Sequence, residues 1–402
     1  MRRDLAQRLG VSKWSLQPLW GLAPRVDNKN QGMVETNLLS LSYGQIIRKD
    51  IAEIGGLQPG SYETYNIIEP GDTVLRMTDL QNDQRSIRTG LAQERGIITS
   101  AYVTVRPIDR YVEPRFFSAV LRAYDINKVF YEMGAGVRQT LKYDELAQLP
   151  IPLPPLGTQR IIADFLDRET AEIDAMIDKL DAVVQELIQR RARLIQQHTI
   201  NSPSPMSRMK FCAEVSLGKT FQGVQKKPDE KFVNYVRAAS IQSHGLELDD
   251  QRMWMTDTEL AKYYLRAGDV LIVEGGAGYG RSVVLTEPMP QWGFQNHVIR
   301  VRPNRDQEGR FLNYCVKAHL SAGLVDVLVD GATIPALSSD KARELPVPKV
   351  SLEAQRRIAD HLDEVTSKID AMLAKVAELK ALLTERRAAL ITAVVTGRKD
   401  VA

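Results

Sequence analysis

Leu149-Pro150-Ile151-Pro152-Leu153-Pro154-Pro155-Leu156 is followed by Gln159-Arg160, Ile162-Ala163-Asp164 and Ile173-Asp174-Ala175-Met176. The same pattern returns as Leu345-Pro346-Val347-Pro348, Gln355-Arg356, Ile358-Ala359-Asp360 and Ile369-Asp370-Ala371-Met372. The shift is about 196 residues, nearly half of the 402-residue chain. From Leu149 to Gln196 about 23 of 48 positions are identical without a gap, which marks a duplication of one long unit and not an array of short repeats.

Both copies read as helix. Leu166, Ile173, Leu180, Leu187 and Leu194 recur every seventh residue, with Ile162, Met176 and Val183 on a second line. The other copy has Leu362, Ile369, Val376, Leu383 and Leu390, with Ile358, Val365, Met372 and Leu379 beside them. Four heptads of this kind predict a coiled coil. Each helix opens after a Leu-Pro-x-Pro stretch that cannot continue it backwards. Each runs for about 40 residues, about 60 Å. The apolar seam needs a cover, and the other copy in the same chain, lying antiparallel, is the expected one. The alternatives are packing of each helix on its own domain, or a homodimer.

Around the helices the chain is ordinary globular material: 44% hydrophobic, 26% charged, formal net charge +3 and pI near 8.7. The slight basic excess permits nucleic-acid binding without demanding it. No apolar run approaches a bilayer span, and Met1-Arg2-Arg3-Asp4 does not open a secretory leader, so no membrane association and a cytoplasmic setting are expected. Cys212 and Cys315 are too few for a disulfide scaffold or a structural zinc site.

The remaining segments, residues 1–148 and 201–344, are weakly related at the same shift. Val74-Leu75 matches Val270-Leu271, Arg85-Ser86 matches Arg281-Ser282, and Val105-Arg106-Pro107 matches Val301-Arg302-Pro303. Short apolar runs at 73–77, 101–105, 270–273, 282–286 and 298–301 predict strands, and 115–124 and 310–320 predict amphipathic helices. Trp14 and Trp20 have no counterpart that aligns. The helices repeat closely while the intervening segments share a framework but not their loops. That suits a spacer holding two similar heads against a bipartite ligand, for which duplex DNA is the obvious candidate.

These motifs resemble the specificity (S) subunits of type I restriction-modification systems, over nearly the whole chain. The Leu-Pro-x-Pro…Gln-Arg elements at half-chain spacing carry the resemblance, with Gly96-Ile97-Ile98-Thr99-Ser100-Ala101-Tyr102 and the Gly-Asp strand starts beside them. The implied fold class is α+β: two mixed α/β target recognition domains joined by two long helices that form an antiparallel coiled coil, with an internal pseudo-two-fold repeat. The implied division is 1–148, first recognition domain; 149–200, central spacer helix; 201–344, second recognition domain; 345–402, C-terminal spacer helix. Each domain would read half of a split site on double-stranded DNA. The helices would set the distance between halves and dock two modification (methyltransferase) subunits, with restriction (translocase/nuclease) subunits completing the complex. No catalytic residue, cofactor or metal is expected in this chain.

Phosphate contacts dominate such interfaces, so loop cations come first: Arg76, Arg85, Arg88 and Arg138 in the first domain, and Lys219, Lys226, Lys227 and Arg281 in the second. Base readers are expected where the domains diverge: Asn82, Asp83 and Gln84 in one, Tyr279, Gln291 and Trp292 in the other. The alternative for each is a solvated charge or turn residue. Arg190 and Arg386 interrupt apolar lines and read as helix-end or partner contacts. Gly275–Ser282 nearly fits a phosphate loop, but Arg281 replaces its lysine and Ser282-Val283-Val284 reads as strand, so nucleotide binding is not expected. The five histidines lack metal-ligand spacing.

Overall fold

The structure is a computed structural model and describes residues 10, 11, 13–49, 61–83, 86–133, 140–323 and 336–401. The chain folds as two units, Met1–Leu180 with Glu378–Ala402, and Asp181–Ala377. Each unit contains one head and one end of each long helix.

In the first unit, Thr73–Leu75 lies between Thr89–Leu91 and Val103–Val105 in an antiparallel sheet. Helix Pro114–Ile126 buries Phe116, Phe117, Val120, Leu121 and Tyr124 with Leu75 and Val105. These positions follow the i, i+3, i+4 spacing of a one-sided helix. The helix starts at Pro114 because the Glu113 carboxylate accepts from Phe116 N–H at 2.7 Å and proline suits the first turn. Burying each of the two phenylalanines stabilises the head by about 2–3 kcal/mol. Two antiparallel pairs flank this sheet: Leu39–Ser42 with Gln45–Arg48, and Asn66–Ile68 with Gly96–Ile98.

The second unit repeats the arrangement with a four-stranded antiparallel sheet, Ala213–Leu217, Val298–Pro303, Val270–Val273 and Ser282–Val284 in that order. Helix Gly309–Ser321 buries Phe311, Leu312, Cys315 and Val316 against it. A further mixed sheet places Lys231–Val236 between Arg252–Met255 and Trp292–Phe294.

The two frameworks are held by the same bonds. Arg106 Nε and Nη2 donate to both oxygens of buried Asp72, at 2.7 Å each, and Arg302 does the same to buried Asp269 at 2.9 and 2.7 Å. Gln159 Oε1 accepts from Glu113 N–H, and Gln355 Oε1 accepts from Glu308 N–H, both at 2.9 Å. Arg115 reaches Glu113, Asp164 and Asp167; Arg310 reaches Glu308, Asp360 and Asp363. Each head is thus tied to the first turns of the long helix that follows it.

The segment around Trp14 and Trp20 does have a structural counterpart. Ser15–Pro18 pairs with Pro150–Leu153, and Met206–Arg208 pairs with Pro346–Pro348. Leu19 N–H donates to Leu149 O just as Met209 N–H donates to Leu345 O, both at 2.9 Å. The offset between these two N-terminal strands is six residues shorter than the helix offset, so a gapless comparison cannot align them.

The long helices span Leu156–His198 and Leu352–Val395. In the first unit Leu166 shares a core with Ile391, Val394 and Val395, and Arg387 pairs with Asp174 at 2.9 Å. In the second unit Ile195 shares a core with Leu362, and Arg191 pairs with Asp370 at 3.2 Å. The heptad line of Leu166, Ile173, Leu362, Ile369 and Leu383 is buried. The second line departs from the expected one along the middle of the helices: Ile162 is buried and Ile358 and Val365 half-buried, but Met176, Val183, Met372 and Leu379 are exposed, and Ile177, Val184 and Leu373 are half-buried instead. Likewise Arg190 and Arg386 are exposed while Arg191 and Arg387 make the ion pairs. In that middle stretch the inward line runs at i+4 from the leucine seam, not at i+3.

Candidate nucleic-acid interface

The framework aims two dissimilar loops from equivalent strand ends. In the first head, residues 76–88 connect Thr73–Leu75 to Thr89–Leu91; in the second, residues 274–281 connect Val270–Val273 to Ser282–Val284.

The first loop is wound around Arg88. Its side chain is fully buried, and all five guanidinium donors are used: Nε to Tyr131 Oη, Nη1 to Arg76 O and Thr78 O, Nη2 to Asp79 O and Asp83 O. Arg88 is therefore corrected from a phosphate contact to the internal brace of the loop. Arg76 is partly exposed, 3.9 Å from Asp83. Exposed Asn82 donates from Nδ2 to Asp79 Oδ1 at 2.7 Å, a bond within the turn. Gln84, Arg85 and Arg138 lie outside the described residues.

In the second loop Arg281 Nη1 donates to Gln242 Oε1 at 2.9 Å, and its Nε to Gly278 O at 3.3 Å. Strand register makes Arg281 the equivalent of Arg88 and not of Arg85: Arg76 N–H donates to Arg88 O, and Val273 N–H donates to Arg281 O. Both arginines reach back into their own loop. Arg281 keeps partial exposure, and half-buried Tyr279 packs against the core. Ser282–Val284 is a strand, so the glycine-rich turn does not lead into a helix N-terminus.

Lys219 is also corrected: it is buried, with Nζ on Glu259 at 2.6 Å. Lys226 and Lys227 are exposed on a separate loop folded around Glu230, whose carboxylate accepts from the Gln222 side chain and from both lysine amides. Partial burial of Glu230 opposes its charge, but these bonds and the Lys219 charge outweigh it and hold its carboxyl below the usual range. Glu230 is thus engaged by the two backbone amides, and the Lys226 and Lys227 side chains are exposed. Phe221 and Phe232 are half-exposed, and the Phe232 ring lies tilted against Trp254 with centroids 5.1 Å apart. Gln291 is exposed beside strand Trp292–Phe294. Of the expected residues that the structure describes, those of the second head fall on three loops and those of the first on one.

One element was missed by the sequence reading. The hairpin Leu39–Ser42/Gln45–Arg48 lies beside the first loop, and Ser42-Tyr43-Gly44-Gln45 between alternating Leu39, Leu41 and Ile46 is the signal that could have found it. In the second head the short hairpin Ile241–Gln242/Gly245–Leu246 occupies a comparable place, through the Gln242–Arg281 bond.

The family profile for the type I restriction modification DNA specificity domain matches residues 64–185 and 212–381. The chain is 27% identical over 150 residues to the type I restriction enzyme EcoKI specificity subunit of Escherichia coli (strain K12), covering 34% of this chain and 32% of that one. It is 22% identical over 339 residues to the StySPI specificity subunit of Salmonella potsdam, covering 76% of this chain and 72% of that relative. In fold it is similar to a chain from a study of complex assembly and conformational transition of the type I R-M system, with TM-score 0.72, 17% identity and coverage of 95% and 97%. It is also similar to the HsdS subunit from Thermoanaerobacter tengcongensis, with TM-score 0.50, 16% identity and coverage of 96% and 97%. With two profile matches that together span well over half its length, one in each unit's head and helix, this chain belongs to the type I restriction-modification DNA specificity family.

Proposed function

We propose that this chain is the DNA sequence-specificity subunit of a type I restriction-modification complex, itself non-catalytic. The single observation that carries the reading is the pairing of one bonded framework, Arg106–Asp72 repeated as Arg302–Asp269, with two unlike loops between equivalent strands. A duplicated frame with divergent loops suits two half-sites read separately on double-stranded DNA.

The roles divide as 1–148 and 201–344, the two readers, and 149–200 and 345–402, the spacers. Arg76 and, outside the described residues, Arg85 and Arg138 contact phosphates for the first reader; Lys226, Lys227 and Arg281 do so for the second. Asn82, Gln84, Tyr279 and Gln291 are the base-reading candidates. The spacer helices form an antiparallel coiled coil, supported by the reciprocal pairs Asp174–Arg387 and Arg191–Asp370. Exchanging Asp174 and Arg387 should restore most of the roughly 0.5 kcal/mol lost when either is changed alone. The exposed line of Met176, Val183, Met372 and Leu379 supports docking of the modification subunits on these helices. The partner methyltransferase then extrudes the target base, since chemistry on a base inside a duplex requires it. Restriction subunits complete the assembly.

Footprinting of the assembled complex should give two protected patches separated by unread base pairs. Affinity should fall steeply with salt, as counterion release requires. Exchanging residues 1–148 for another head should change one half-site only. A single continuous patch, or salt-insensitive binding, would overturn the reading in favour of a scaffold whose heads bind proteins.

A further inference from the structure

We propose that the hairpin Leu39–Ser42/Gln45–Arg48 enters the DNA groove as a reading finger of the first head, with Tyr43 at its tip as a specificity-determining residue. The inference rests on the reading above.

Tyr43 is 81% exposed, the most exposed large apolar side chain among the described residues. Its backbone is left-handed, φ 44°, followed by Gly44 at φ 80°. Positive φ at both central residues is the pattern of a tight two-residue hairpin turn whose first position ordinarily takes asparagine, aspartate or glycine. An aromatic ring there is unfavourable for the turn and gains no burial. Its hydroxyl has no hydrogen-bond partner among the described residues, and no contact among them accounts for the side chain.

The tip is nevertheless held firmly. Arg122, on helix Pro114–Ile126, donates from Nη2 to Gly44 O at 2.6 Å and to Thr89 O, and from Nε to Thr89 Oγ1 at 2.9 Å. A Cβ at residue 44 would collide with Arg122 Nη1 and stand 2.7 Å from Ile87 Cγ2. The tip therefore abuts Ile87, at the end of the 76–88 loop that differs between the heads. Burial pulls the Arg122 guanidinium below its ordinary value, and the Asp125 charge opposes this in part.

The rest of the finger has the form of a groove probe. Leu39, Leu41 and Ile46 face the core. Ser40, Ser42, Gln45 and Ile47 stand on the other side, with Ser42 opposite Gln45 and Gln45 exposed. A two-stranded ribbon fits the major groove, where serine and glutamine hydrogen-bond base edges and an aromatic ring packs on a thymine methyl or an unstacked base.

The test uses the chain assembled with its modification subunits. Tyr43→Gly removes the ring and suits the turn; Tyr111→Ala changes another exposed tyrosine of the same unit. The readouts are the methylated motif in a genome, affinity for a duplex carrying the wild-type motif, and the thermal midpoint. Tyr43→Gly should leave the midpoint unchanged and relax the motif at one or two positions of a single half-site. It should also weaken duplex binding about tenfold with the same salt slope, while Tyr111→Ala does none of this. Unchanged motif and affinity, or equal relaxation of both half-sites, overturns the finger and leaves the bipartite reading standing. A wild-type motif that is not bipartite overturns the reading itself.

Discussion

The two heads tie sheet to helix with the same residues and then diverge in what fills their loops. Arg106–Asp72 and Arg302–Asp269 are one bond made twice, yet Arg106 is 45% exposed and Arg302 only 12%. Arg88 and Arg281 leave equivalent strand ends, but one is saturated inside a 13-residue loop and the other is half-exposed over a glycine-rich turn. The lesson is that equivalent positions keep their bond geometry while their energetic weight follows local burial. That contrast can be tested one unit at a time, because Trp14 and Trp20 lie in the first unit and Trp254 and Trp292 in the second. Replacing either pair by phenylalanine isolates the fluorescence of the other.

The largest difference is expected at the loop braces. Arg88→Ala should destabilise the first unit by about 3–4 kcal/mol, because it leaves a cavity and removes the guanidinium donor from four backbone carbonyls of the loop. Arg88→Lys should rescue little, since an ammonium cannot span the same acceptors. Arg281→Ala should cost the second unit under about 1 kcal/mol, as water can replace the lost bonds. Urea unfolding read through the isolated tryptophan pairs checks both. Equal losses would break the comparison.

Next come the shared carboxylate clamps. Asp269 is 1% exposed and Arg302 nearly buried, so Arg302→Ala leaves a carboxylate with little access to water and should cost about 3 kcal/mol. Arg106→Ala opens buried Asp72 to solvent from the side its partner occupied, and about 1–2 kcal/mol is expected. A larger loss in the first unit would mean that bond count and not burial sets the strength.

The framework was legible in the sequence because it is written in local, repeated signals. Leu-Pro-x-Pro marks each helix start, heptads mark the leucine seam, and Gly71-Asp72 and Gly268-Asp269 mark each first strand. The second seam was misread because Met176, Val183, Met372 and Leu379 are as apolar as a seam residue; only the partner's position tells i+3 from i+4. Arg88 and Lys219 were misread for a related reason: charge suggests surface, and the carbonyls that bury Arg88 come from residues whose turn geometry no local pattern announces. Arg281 was paired with Arg85 because the loops differ in length, so a constant offset fails inside them. Tyr43 was missed because a tyrosine in a tight turn runs against turn preference.

The smallest difference concerns acid. All five histidines lie between residues 198 and 361, inside the second unit. His319 donates from Nε2 to Pro346 O at 2.7 Å, where the first unit has Tyr124 donating to Pro150 O. Its Nδ1 is buried without a partner among the described residues, so a second proton would place a charged N–H where none of them accepts it. Burial therefore pulls the His319 pKa below its usual 6.5, the Pro346 bond opposing only in part. His198, with its ring 5.0 Å from His361, is lowered too, by burial and then by its neighbour; Glu364 is the acidic group facing His361. A histidine whose folded pKa is depressed takes its proton first in the unfolded chain. Stability is intact above the unfolded value near 6.5 and falls as pH drops through and below it, by at most about 1.4 kcal/mol per pH unit for each histidine. Between pH 7.5 and 5.5 the second unit should lose stability relative to His319→Tyr, which copies the first unit's residue. The same substitution should leave the first unit's tryptophan transition where it was. If wild type and His319→Tyr shift in parallel through that range, the buried imidazole is not the acid-sensitive group, and the difference between the units lies in their loops alone.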